Sequence, residues 1–207
     1  MKAAGLDPAY TKSGISNGTI TELILTNPGD ELSGLADSCR RASEVAVEAR
    51  LFMKRHGATR LFCEGAMMNA AQAHHLYEVG LLMRTLADEI GLKNLSLVTP
   101  TTLKKYLTGD GRSPKEHAKC RKVLKTGKIG PPCVVCGAKE LHNIEFDKDA
   151  GKDKLHAWGL AHYGADVIAG KIIHVEPARR GKGKAKVAKH KALVNRKSRK
   201  KNANRSA

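Results

Sequence analysis

Four side chains in this sequence are of types that hold hard cations or move protons, and each stands where a structural element should end or begin. Asp7 closes a short apolar run over residues 2–6 and is followed by Pro8. Proline offers no N–H to a sheet ladder, so a strand must stop there. Glu64 closes a second apolar run over residues 59–63 and is followed by Gly65. If the two runs are parallel neighbours, both carboxylates leave the sheet at its carboxyl edge, where open α/β sheets place their ligands. Asp153 opens the last helical stretch, and His156 follows three residues later on the same face. Such an oxygen-rich group suits Mg²⁺ or Mn²⁺. A pair of these ions can activate water and stabilise the leaving oxygen of a phosphodiester. Each acid alone also has a plainer reading: Asp before Pro is commonly a turn residue, and Asp153 can be a helix N-terminal cap.

The elements that must position these groups follow from pattern. Residues 13–15 and 19–26 are rich in β-branched side chains and read as a hairpin around Ser16-Asn17-Gly18. Residues 31–55 read as a helix, with Leu35, Cys39, Ala42, Ala46, Ala49 and Met53 on one face and Gly57 as C-cap. A second long helix spans 69–90 and ends at Gly91; residues 95–98 form a short apolar strand stopped by Thr99-Pro100. Short helices are expected at 101–107 and 114–125, a loop at 127–142 and a last helix at 153–168. Antiparallel strands first, then strands alternating with helices, predict an α/β fold: a mixed five-stranded sheet with helices on both faces.

Several stretches resemble the RuvC family of Holliday-junction resolvases. Gly5-Leu6-Asp7-Pro8 with Ser13-Gly14 is similar to that family's first strand, and Leu61-Phe62-Cys63-Glu64 to its second acidic strand. The most specific stretch, TPTTLKKYLTGDGRSPKE at 99–116, resembles the family's Pro-x-x-x-Lys-Lys segment, its Thr-Gly-x-Gly turn and the lysine just beyond. The resemblance covers residues 2–168. It implies an RNase H-like nuclease, dimeric and Mg²⁺-dependent, that nicks four-way DNA junctions symmetrically. By position it implies that Asp7 and Glu64 are catalytic acids and that Lys104 and Lys115 face the DNA backbone, where a cation offsets developing charge. Lys105 and Arg112 belong to the same expected DNA surface; read without the motif, Lys104 and Lys105 are solvated helix charges. In the last motif the family has two acids three residues apart, or a His followed by an acid; Asp153 matches the first position and His156 the second. Asp147 and Asp149 are the nearby substitutes. Some members carry an aromatic wedge after the second acid; here Met67 and Met68 occupy that place, and methionine stacks less well between bases.

The cysteines add a separate signal. His117-x2-Cys120-x12-Cys133-x2-Cys136 is a spacing compatible with a closed tetrahedral Zn²⁺ site, with His142 as a spare ligand. The plainer reading is an accidental CxxC in a loop with Cys120 in the core. Cys39 and Cys63 are expected to be small core residues, and the adjacent His74 and His75 point apart on a helix.

The formal net charge is +17, but its distribution is uneven. Residues 178–207 hold thirteen of the 37 Lys and Arg and none of the 20 acidic residues. That segment, beginning with Arg179 and Arg180, has too little apolar content to fold alone and reads as a disordered basic arm for nucleic-acid phosphates. The domain reading is a nuclease domain at 1–177, with a candidate zinc insertion at 117–142, and a tail at 178–207. No leader is expected at the N-terminus and no membrane partner, which points to the cytoplasm of a bacterium or phage-infected cell and association with the nucleoid. The expected function is a metal-dependent endonuclease acting on four-way or branched DNA in recombination and repair. Two alternatives differ in class: a binding protein that keeps the fold but cuts weakly or not at all, and a sugar-kinase-type ATPase, which the lack of a second phosphate loop disfavours.

Overall fold

The computed structural model describes residues 1–9, 11–27, 34–65, 73–114, 119–123, 128–144 and 152–175, with the side chains of 73–78 left aside. Met67, Met68, Lys115, His117, Asp147, Asp149, Arg179 and Arg180 lie outside the described residues. A five-stranded sheet has the order β3-β2-β1-β4-β5. It is built from β1 (Ala3–Asp7), β2 (Lys12–Ser16), β3 (Thr21–Leu25), β4 (Arg60–Glu64) and β5 (Leu95–Val98). The first three strands pair antiparallel, and β1–β4 and β4–β5 pair parallel. The mixed sheet is the one the sequence predicts. The β2–β3 turn is set by Asn17, whose Oδ1 accepts from the N–H groups of Thr19 and Ile20 at 2.9 and 2.8 Å, and by Gly18 at φ 92°.

Strand alternation sorts the core into two layers. Ala4 and Leu6 of β1, with Leu61 and Cys63 of β4, pack with buried residues of α1 (Gly34–His56) and α2 (Ala73–Ile90). Ala3 and Phe62 face the other way. They pack with residues of α3 (Pro100–Thr108), α4 (Val134–His142) and α5 (Lys152–Ile168). Helices therefore cover both faces of the sheet.

α5 lies directly on β1 and β2 because glycines leave room for it. A Cβ on Gly5 would stand 2.2 Å from the carbonyl oxygen of Ala157, and one on Gly14 would stand 2.2 Å from that of Asp153. Gly164 gives the same clearance to the Phe62 ring. Any side chain at these positions would lift the helix from the sheet.

Three expectations are corrected. Residues 134–142, expected as loop, form α4. Gly130-Pro131-Pro132 ends before it, and Val134 and Ala138, one turn apart, are buried. A nine-residue helix carries too little pattern to be read alone and is stabilised by tertiary packing. The helix expected over 114–125 is absent at 119–123, where Arg121 takes φ 51° and Val123 bridges Ile129 in antiparallel fashion. On α1, Leu35 and Cys39 are exposed rather than core. The buried stripe begins instead at Asp37 and Ser38, where Asp37 pairs with Arg40 at 2.7 Å and Arg41 at 2.9 Å.

Candidate metal centre at the carboxyl edge of the sheet

In the β1–β4 ladder Leu6 pairs with Cys63, so the next residue of each strand, Asp7 and Glu64, leaves the sheet beside the other. Both continue the alternation that points Gly5 and Phe62 toward α5. The helix crossing there brings His156 down onto them. Its Nδ1 stands 3.1 Å from Glu64 Oε2 and 3.3 Å from Asp7 Oδ2. The histidine is 3% exposed and Glu64 9%, so the contact is sheltered from water.

Burial alone would lower the basicity of His156. The hydrogen bonds and charges of Asp7 and Glu64 outweigh it and push the imidazole pKa up to about 9. Burial also raises the Asp7 carboxyl, against the pull of His156 and with the help of the neighbouring acids Glu64 and Asp153. At neutral pH the imidazolium thus serves as the cation beside Asp7 and Glu64.

The same atoms fit a divalent ion. One donor atom each from Asp7, Glu64 and His156 lies within 4.8 Å of the others. An ion with bonds of about 2.1 Å in octahedral geometry wants adjacent donors about 3 Å apart, close to the 3.1 and 3.3 Å spacings of His156 Nδ1. Two carboxylates and one imidazole are a donor set that can hold a divalent cation.

The other expected site residues are distributed as follows. Asp153 is not in this close group. It lies at the start of α5, 4.0 Å from Lys12 Nζ, near enough to Asp7 to act on it through charge. Lys12 carried no recognisable signal in the sequence; as a strand residue it reads like any solvated lysine. α3 leaves the same sheet edge, because β5 ends beside Glu64 and the Gly65 N–H donates to the Val98 carbonyl at 2.8 Å. Thr99 caps α3, accepting the Thr102 N–H at 3.1 Å, with Pro100 in its first turn. Lys104 on this helix is half-buried and Lys105 exposed. The turn after α3 is tied by Thr108, whose Oγ1 meets Ser113 Oγ at 2.6 Å. Asp110 there holds Arg112 by hydrogen bonds of 2.9 and 3.1 Å. That pair is exposed and screened, so it leaves Arg112 able to meet a phosphate. His142 is not a metal-ligand candidate: its Nε2 is 3.0 Å from the Tyr106 carbonyl, and its ring packs on Tyr106 and Trp158.

Among solved structures, two similar folds come from one bacterium. A structure of RuvC from Thermus thermophilus superposes with a TM-score of 0.55 at 16% identity, covering 82% of this chain and 97% of that one. A structure of T. thermophilus RuvC in complex with Holliday junction substrate gives 0.54 at 14% identity, covering 82% and 96%. No protein-family model matches the sequence, and no curated protein matches it. With a mixed five-stranded sheet covered by helices and superposition over that length, the chain has a RuvC-like fold of the RNase H type.

Proposed function

We propose that this protein is a metal-dependent, structure-selective endonuclease that resolves four-way or branched DNA by paired nicks. The observation that carries the reading is the meeting of Asp7, Glu64 and His156 at the carboxyl edge of a RuvC-like sheet. The substrate class is supported by the similarity to a structure of T. thermophilus RuvC in complex with Holliday junction substrate.

Asp7, Glu64 and His156 would hold the divalent ion, which when bound lowers the pKa of water and offsets charge on a phosphoryl oxygen. The chain's own contribution is rigid placement. Two strand ends and a buried helix fix three donors, so little reorganisation is needed. Asp153, partly exposed beside this group, adds negative charge and a further carboxylate within the reach of incoming ions. Lys104 and Lys105 on α3 and Arg112 in the turn behind it would form the cationic side toward the DNA backbone, and by sequence position Lys115 is expected to add to it. Arg179 and Arg180 begin the arm that adds sequence-independent affinity. A homodimer would present two such centres to opposing strands of one junction.

A second reading has its own support. The His156 imidazolium already offsets part of the charge of the two carboxylates, as a binding protein without metal would need. The deciding experiment is cleavage of a synthetic four-way junction against linear duplex, in Mg²⁺ and then Mn²⁺, by wild type and Asp7→Asn. Paired nicks near the crossover that vanish in Asp7→Asn support the nuclease. Tight junction binding with no product in either metal establishes the binding protein instead.

A further inference from the structure

Away from the carboxylates, Cys120, Cys133 and Cys136 bring their sulfurs within 4.8 Å of one another. None of them is in a disulfide. A small hairpin closes the distance between the first two. The Arg121 N–H donates to the Pro131 carbonyl at 3.2 Å, the Gly130 N–H donates to the Lys122 carbonyl at 2.9 Å, and Val123 bridges Ile129. Cys120 and Cys133 thus meet at the hairpin's base. Cys133 is the N-cap of α4 but makes no side-chain cap hydrogen bond, and Cys136 follows in the helix's first turn. The Cys133 N–H donates to Cys120 Sγ at 3.1 Å, which favours a thiolate there.

Among its described residues the holding contacts are weak ones, the backbone hydrogen bonds and an exposed Arg121–Glu140 ion pair. Its two bridging side chains, Val123 and Ile129, are 73% and 71% exposed, so they form no apolar core among the described residues of the hairpin. Small elements of this kind are usually stapled by a metal or a disulfide. Cys120 and Cys136 are only partly buried, which is not how cysteine is used as core filler. Three sulfurs together are more than a disulfide needs. Tetrahedral Zn–S bonds of about 2.3 Å place sulfurs about 3.8 Å apart, a separation compatible with sulfurs that all lie within 4.8 Å of one another.

We propose that Cys120, Cys133 and Cys136 bind a structural zinc ion as thiolates, locking the hairpin to the first turn of α4. The soft sulfur set selects zinc over the hard ions suited to Asp7 and Glu64. His117 lies outside the described residues, and the proposal stands on the three sulfurs alone. The ion's role is structural, since binding to a site absent from the unfolded chain is folding free energy.

The test uses the full chain purified under reducing conditions and dialysed against metal-free buffer. Elemental analysis should find one equivalent of zinc, and Asp7→Asn should retain it. Replacement by Co²⁺ should give the visible thiolate-to-metal absorption of a tetrahedral site. Cys133→Ser and Cys136→Ser should each lower retained zinc at least tenfold. Thiol labelling of native wild type needs no variant to fold. With zinc, exposed Cys39 should react alone; after chelation Cys120, Cys133 and Cys136 should join it, while buried Cys63 stays protected. Zinc that washes out on dialysis, with labelling unchanged by chelator, overturns the proposal. So does a Cys133–Cys136 disulfide in protein isolated without reductant.

Discussion

His156 Nδ1 and Glu64 Oε2 are 3.1 Å apart although 92 positions separate them in the chain. The contact joins the last helix to the central sheet and is buried on both sides. It makes the centre's metal-free state dependent on one proton.

That proton has a predictable effect on stability. The imidazole pKa rises from 6.5 to about 9 on folding. A group whose pKa is raised stabilises fully below its unfolded value and loses that contribution as pH rises through its folded one. In chelator, stability should fall between pH 6.5 and 9 by on the order of 3 kcal/mol. Asp7, also shifted upward, loses its contribution in the same direction as pH climbs from its ordinary 3.8. Urea midpoints measured across this range should decline for wild type and stay nearly level for His156→Gln. Equal slopes for the two proteins would show that no proton is held there.

His156→Asp should trade that proton for metal dependence. Three crowded carboxylates repel one another without a cation, so the metal-free variant should melt below wild type. Saturating Mg²⁺ should then raise its Tm by more than it raises that of wild type. Identical Mg²⁺ shifts in differential scanning calorimetry would count against a metal held at this position.

Gly5→Ala tests the close docking of α5. The new Cβ would meet a backbone oxygen at 2.2 Å, which no rotamer can relieve. A loss of about 3 kcal/mol is expected, at the upper end for overpacking. Gly80→Ala, inside α2 with nothing within 4 Å of the added methyl, is the matched control. It should gain about 0.5–1 kcal/mol from lower unfolded-state entropy. Denaturant midpoints moving the same way in both variants would refute the clearance argument.

Removing residues 178–207 deletes thirteen basic side chains and no acidic ones. Binding to linear duplex should weaken, and the plot of log K against log salt should become shallower by several units. Nick positions on a junction should not move. An unchanged salt slope in fluorescence anisotropy would reduce the tail to a solubilising segment.

The sequence by itself placed Asp7 and Glu64. Strand alternation, Pro8 and Gly65 are local signals, and they say where an extended run ends and which residue ends it. The same local logic located five strands and the three long helices. It failed where the outcome depends on distant partners. Cys39 looked apolar on α1, but that end of the stripe belongs to Asp37 and its arginines. α4 is too short to announce itself and forms because Val134 and Ala138 enter the α3–α5 core. Only the tertiary structure decided that Leu6 pairs with Cys63, which sets the two acids side by side. Only it showed that Gly5 and Gly14 let α5 lie close enough for His156, rather than Asp153, to bridge them. Register and helix docking are fixed by contacts between residues far apart in the chain, and no local pattern encodes which of those contacts will form.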